Sequence, residues 1–154
     1  MNDIKFMQQA IELSKLAVKN GNEPFGAVLV KDDVIVFTNE NQIYTKNDPT
    51  FHAEMGLIRS FTEETGITDL SDYTLYSSCE PCFMCSGAMV WAKLGRLVYA
   101  AGNEDLESLF GNAGVNCSKI VFDSASHRPE VTAGILRDEA FEVLRDYFKN
   151  HAKG

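Results

Sequence analysis

The sequence predicts an α/β fold in which a mixed β-sheet is covered by helices on both faces. Strand-like and helix-like stretches alternate through the middle of the chain, the pattern of such a layered sheet. Two early β-rich runs are close enough to form a hairpin. A length of 154 residues with 45% apolar content suffices for one sizeable core, so residues 1–154 are expected to form a single domain.

The elements follow in order. Asp3 to Asn20 places Ile4, Met7, Ile11, Leu13, Leu16 and Ala17 near helical spacing, and Gly21 is a natural stop. "FGAVLVK" and "VIVFTN" flank Asp32-Asp33 and read as the hairpin. Phe51 to Glu64 repeats Met55, Leu57, Ile58 and Phe61 on a helical period, with a stop at Gly66 and a strand from Tyr73, "YTLYSS". A third helix is predicted from near Cys82 to Lys93, and "RLVYAA" forms the next strand from Arg96. The stretch 102–128 is rich in Gly, Asn, Ser and acids, and "KIVF" within it fits either a short strand or a turn of helix. "EVTA" after Pro129 reads as an edge strand, and Asp138 to Lys149 as a final helix carrying Ala140, Phe141, Leu144, Tyr147 and Phe148. No repeat, low-complexity segment or linker interrupts the pattern.

Composition narrows the function. The chain has no run of 18 or more apolar residues, and its start is amphipathic rather than a basic region followed by an apolar one. A soluble cytoplasmic protein with no membrane partner is expected. Three of its four cysteines, Cys79, Cys82 and Cys85, crowd into one short window, a layout for metal or redox chemistry rather than a disulfide framework. With 22 acids against 14 bases and a net charge of -8, the surface would repel a phosphate backbone, which argues against a large nucleic-acid partner.

Two motifs carry the chemistry. In "PCFMC", Pro81 suits the first position of a helix, which puts Cys82 and Cys85 three apart in its first turn, on one face, able to grip one ion. The positive helix N-terminus favours their thiolate form. Cys79, on the far side of Pro81, is expected to point elsewhere. In "NDPTFHAE", His52 is expected in the first turn of its helix, with Thr50 or Asp48 as N-cap. Residues two apart on a regular helix point about 200° apart. His52 and Glu54 therefore share a centre only if it lies over the helix end, as when two helix N-termini converge on one zinc held by His52, Cys82 and Cys85. Three such ligands leave the fourth position open for water, whose pKa falls to roughly 7, and Glu54 beside it can move protons without binding the metal.

His-Ala-Glu with Pro-Cys-Phe-Met-Cys resembles the signature of the zinc nucleobase deaminases. The likeness extends through "EPFGAVLVKDD", "NDPTFHAE", "LYSSCEPCFMCSGAMVWA" and "TAGILRDEAFEVLRDYF", so most of the chain resembles the cytidine/deoxycytidylate deaminase superfamily. The resemblance implies a three-layer α/β/α fold around a five-stranded mixed sheet, one Zn²⁺ per chain, hydrolytic release of ammonia from a small aminated ring, and a homodimer. It also implies that Asn41 hydrogen-bonds the base and that Phe25 lines its pocket.

Within the superfamily, "PFGAV", "NDPT" and "SCEPCFMCSGAMVWA" are most similar to bacterial guanine deaminases, whereas "GILRDE" before an aromatic helix resembles tRNA adenosine deaminases. The tRNA enzymes end in a basic helix; this chain ends in "DYFKNHAKG" and is acidic, which favours a free base or nucleoside, with guanine leading. Cytosine, another purine or a pterin is the alternative. Guanine deaminases read the guanine edge with acids from the loop after the fourth strand, where this chain offers Glu104, Asp105 and Glu107, and they cover the site with an aromatic tail, often a partner subunit's. A different class of reading is a structural-zinc interaction protein, which needs a fourth ligand from Cys79 or Cys117. Otherwise these two cysteines are small buried side chains, and His127 and His151 are surface histidines.

Overall fold

A computed structural model describes residues 2–151. The helices and strands run α1 Asp3–Lys19, β1 Gly26–Lys31, β2 Val34–Glu40, α2 Ala53–Thr65, β3 Thr74–Cys79, α3 Phe83–Trp91, β4 Arg96–Ala101, α4 Asn103–Ser108, α5 Cys117–Asp123, β5 Glu130–Ala133 and α6 Arg137–Phe148. The five strands form one sheet in the order β2-β1-β3-β4-β5. β1 is antiparallel to β2 and β3, while β3, β4 and β5 are mutually parallel, so the sheet is mixed as expected.

Strand periodicity divides the core between two faces. Ala27, Leu29, Leu75, Leu97 and Tyr99 pack with Leu57, Phe61, Met89 and Phe122 of α2, α3 and α5. Their alternates Val28, Val30, Tyr76, Val98 and Ala100 pack with Phe6, Met7, Ala10, Ala140 and Leu144 of α1 and α6. Because both faces are covered, the central strands read as apolar runs instead of alternating ones. Gly26 permits the closest approach on the α1 side: a Cβ there would lie 2.2 Å from the Ala10 carbonyl oxygen.

The hairpin turns on Asp32 and Asp33, both with positive φ (51° and 61°), the backbone of a two-residue turn matched to strand twist. Across the sheet, Asp3 accepts both guanidinium arms of Arg96 (3.0 and 2.8 Å) and the Tyr76 hydroxyl (2.6 Å), tying the start of α1 to β3 and β4. The stretch 102–128 is more ordered than its composition suggested. It contains α4 and α5, and "KIVF" lies within α5, the helical one of its two sequence readings.

Two helix starts differ from expectation, and the difference matters for the site. Pro81 is not the first helical residue. Cys82 is extended (φ -67°, ψ 179°) and serves as the N-cap of α3, its carbonyl accepting Ser86 N–H at 2.9 Å. Likewise His52 is extended (φ -68°, ψ 162°) and is itself the N-cap of α2, its carbonyl accepting Gly56 N–H at 2.8 Å. Asp48 does not cap α2. Its carboxylate instead accepts Thr50 N–H (2.9 Å) and Oγ1–H (2.6 Å) in a turn just upstream.

Candidate active site

The two N-caps face each other. His52 Nδ1 lies 3.7 Å from Cys82 Sγ and 3.7 Å from Cys85 Sγ. All three ligand atoms fall within 4.8 Å of one another. A tetrahedral zinc with bonds of about 2.0 Å to nitrogen and 2.3 Å to sulfur separates N and S by ~3.5 Å, so the donor set fits this ion in both chemistry and spacing. Among the described residues neither Cys79 nor Cys117 joins the cluster, which leaves it with three protein ligands. The extended caps explain how His52 and Glu54 serve one place: His52 stands off the helix end, and the 200° rule for residues inside a helix does not apply to it.

The Cys82 thiol is pushed down to about 4, chiefly by its hydrogen bond with Cys85 and then by His52, while Cys85 is raised well above an ordinary thiol by the same bond and by burial. His52 is raised, first by its bond to Cys82. A cation would take the place of these protons, the usual link between metal affinity and pH. Glu54, in the first turn of α2, is 6% exposed, and its carboxyl is pushed up to about 7, first by burial and next by the charge of Cys82, with His52 and Ser77 opposing. Such a group can both accept and return a proton near neutrality. A divalent cation beside it would lower that value.

Second-layer contacts fix these elements. Asn39 Nδ2 donates to the Ala53 carbonyl (2.9 Å), inside the His-Ala-Glu motif, and Gln42 Nε2 donates to Asn39 Oδ1 (2.8 Å). Glu80, between Cys79 and Pro81, is 6% exposed and accepts three hydrogen bonds: Asn103 N–H (2.9 Å), Ser118 N–H (3.0 Å) and Ser118 Oγ–H (2.6 Å). It thereby fastens the starts of α4 and α5 to the short connection between β3 and α3.

A cavity of about 210 Å³ opens onto the cluster. It is lined by His52, Glu54, Cys79 and Cys82 of the cluster region, by Glu23, Phe25, Ile43 and Pro49 from the loops around β1 and before α2, and by Glu80, Asn103, Leu106 and Phe148. The volume is below the roughly 300–1,000 Å³ of sites for drug-sized molecules and suits one flat heterocycle. Phe148 comes from the end of α6 of this same chain and packs near Phe25 (ring centroids 6.4 Å) and Phe110 (5.2 Å). Phe25 is thus in the wall, whereas Asn41, 1% exposed, stands behind it with Oδ1 accepting Glu23 N–H (3.4 Å) and Ile43 N–H (3.2 Å).

The acids expected from the loop after β4 are turned to other tasks. Asp105 pairs with Arg137 and accepts Gly102 N–H (2.8 Å), Glu107 accepts from Asn112, Glu104 is exposed, and none lines the cavity. Asn103 and Leu106 take the inward positions. Sequence reading missed Glu80, Asn103, Glu23 and Phe148; the acid of "CEPC", set among residues that must be buried, was the available signal for Glu80.

With this geometry established, comparison with known proteins is direct. The family model for the cytidine and deoxycytidylate deaminase zinc-binding region matches residues 1–101. The chain belongs to this family. It is 44% identical over 106 residues to guanine deaminase of Bacillus subtilis (68% of each chain), and 31% identical over 148 residues to tRNA-specific adenosine deaminase of Buchnera aphidicola (96% of this chain, 95% of the other). The solved guanine deaminase of Nitrosomonas europaea superposes with a TM-score of 0.80 at 27% identity, covering 94% of this chain and 83% of that one.

Proposed function

We propose that this deaminase-family chain is a zinc-dependent hydrolase that releases ammonia from a small aminated nucleobase-like ring, with guanine, converted to xanthine, as the leading substrate. The observation that carries the reading is a buried carboxylate, Glu54, lining a ring-sized cavity together with His52 and Cys82 of the His52, Cys82 and Cys85 triad. One zinc ion per chain, held by these three residues, would supply Lewis acidity and make water nucleophilic at neutral pH. Glu54 would take one proton from the attacking water and deliver it to a ring nitrogen, then take the second from the hydroxyl now on the ring carbon and deliver it to the amine, which departs as ammonia as the carbonyl forms. Phe25 and Phe148 line the cavity with apolar surface and exclude bulk water from the ring. Asn41 fixes the loops that carry Glu23 and Ile43, and so places the ring.

Among the cavity-lining residues there is no Lys or Arg, and three are carboxylates, Glu23, Glu54 and Glu80. That lining favours a neutral ring over a polyanion. The second reading, a tRNA adenosine deaminase, draws on a similarity of near full length. Ammonia release by zinc-loaded protein from guanine, guanosine, adenine, adenosine, cytosine, cytidine, a pterin and an anticodon stem-loop RNA separates the two. Turnover of one free ring is expected, and inosine formed only in the RNA refutes the first reading.

In this account the protein works in the cytoplasm as a homodimer. Trp91 is 88% exposed and Phe83 52% exposed on α3, more apolar surface than a lone helix face usually presents to water. Light scattering on the eluted protein should give twice the 17.1 kDa chain mass.

A further inference from the structure

Asn39 is the one buried residue of the edge strand β2, and it is polar. It pairs with Ala27 and shares the α2-facing side of the strand with Phe37, where an apolar side chain would be the ordinary choice. Its amide is engaged at both ends. Nδ2 donates to the carbonyl of Ala53 (2.9 Å), the residue between His52 and Glu54, and Oδ1 accepts from Gln42 Nε2 (2.8 Å). A carbonyl in a helix keeps a second lone pair beside its own i+4 bond, so a lateral donor can fix its direction without opening the helix.

Space for this bond is left by Gly56, farther along α2. A Cβ at Gly56 would lie 2.6 Å from Asn39 Nδ2 and 2.6 Å from Phe51 Cε1. Glycine is a poorer helix former than alanine, and here its missing Cβ admits the amide. The same contacts reach the segment that carries Asn41. Asn39 and Gln42 flank that residue, and Gln42 N–H donates to the Phe51 carbonyl (3.1 Å), so residues 39–42 are tied to 51–53 by one backbone and one side-chain bond. His52 is held independently, its N–H donating to the Thr50 carbonyl at 2.8 Å. What the Asn39 bond adds is the direction of the Ala53–Glu54 peptide plane, and with it the direction from which Glu54 enters the cavity.

We propose that Asn39 is a positioning residue for proton transfer: its amide sets the Ala53–Glu54 peptide plane so that the Glu54 carboxylate stays aimed at the reacting ring, and Gln42 locks that amide in place. The inference rests on the proposed function for the task of Glu54, and it deepens that reading by assigning the residue that aims it. An amide that served stability alone could give way to an apolar side chain of like size at little cost to the reaction. One that positions a reacting group could not.

Steady-state kinetics on the ring that the wild-type protein turns over test it, with Asn39→Leu, Asn39→Asp and Gln42→Ala, each alone and combined with Glu54→Gln. Asn39→Leu loses both bonds at similar volume; Asn39→Asp, assayed near pH 8 where the new carboxylate is ionised, keeps the acceptor for Gln42 and loses the donor to Ala53. A misplacement of about 1 Å costs on the order of 10²-fold, so kcat should fall about 10- to 100-fold in both, with KM within about twofold of wild type and a full equivalent of zinc retained. Gln42→Ala, at a half-buried position, should show a smaller kcat loss at unchanged KM. In the Glu54→Gln background these losses should shrink to about threefold or less, because a residue that acts through Glu54 then has nothing left to aim. A structural defect would cost the same factor in both backgrounds. Wild-type kcat in Asn39→Asp, equal losses with and without Glu54, loss of zinc, or an effect carried wholly by KM overturns the proposal. If neither Asn39 variant folds, Gln42→Ala and its combination with Glu54→Gln carry the same comparison. Absence of ammonia from the wild-type protein on every ring would refute the proposed function and this inference with it, whereas wild-type turnover with unimpaired Asn39 variants would refute this inference alone.

Discussion

Glu80→Ala removes the acceptor for Asn103 N–H, Ser118 N–H and Ser118 Oγ–H at a site that is 6% exposed. Each buried donor left without a partner costs about 1–3 kcal/mol, which for three gives a range of roughly 3–9. Relief from burying a carboxylate, and water entering from the adjoining cavity, offset much of this, and the expected net loss is ~3 kcal/mol. At about 2–4 °C per kcal/mol for a chain of this size, the melting temperature should fall by roughly 6–12 °C. Glu80→Gln keeps the shape but turns an amide NH₂ toward donors, and about half that loss is expected. Urea unfolding followed by circular dichroism gives the free energies, and Asn103 and Leu106, released from the cavity wall, should raise KM in Glu80→Gln before kcat changes. If Glu80→Ala melts within 2 °C of wild type, roughly the effect of a surface substitution, then Glu80 does not fasten α4 and α5.

Two further outcomes follow from the geometry. Asp3 is held below the usual carboxylate range, first by its hydrogen bond to Arg96; the stability it adds is complete above its unfolded pKa near 4 and is lost as pH falls through the lower folded value. Asp3→Asn should therefore destabilise at pH 7 by about 2 kcal/mol and flatten the acid limb of the stability curve, and an unchanged limb in melting scans between pH 2 and 5 would refute the pairing. Cys82→Ser exchanges a thiolate for a poor zinc ligand at the N-cap of α3, and purified protein should hold less than a tenth of an equivalent of zinc by elemental analysis. Retention of a full equivalent would take Cys82 out of the ligand set.

The layered sheet was legible because its signals are local and redundant. Val28, Val30, Leu75 and Leu97 are apolar and bounded by turn residues, and the Asp32-Asp33 turn marks the hairpin on its own. The metal cluster was legible because a Cys-x-x-Cys spacing and a His-x-Glu spacing restrict what a helix start can do. Even so, both helix starts were placed too early, since the sequence does not reveal that His52 and Cys82 are extended caps; that depends on the ends of two helices meeting on one face of the sheet. The cavity walls were least legible. Phe148 and Glu23 come from distant parts of the chain, and a phenylalanine in an amphipathic helix reads equally well as core. Glu104, Asp105 and Glu107 were in the expected loop, but α4 turns Asn103 and Leu106 inward and gives Asp105 to Arg137.

The most direct test of the account is a paired measurement on Glu54→Gln: zinc content by elemental analysis and ammonia release from the ring that the wild-type protein turns over. General acid–base catalysis contributes about 10²–10⁴-fold, and the account predicts a full equivalent of zinc with turnover reduced at least that much. Wild-type turnover in the zinc-loaded variant would contradict it, because the buried carboxylate beside the His52, Cys82 and Cys85 cluster would then move no proton in the reaction.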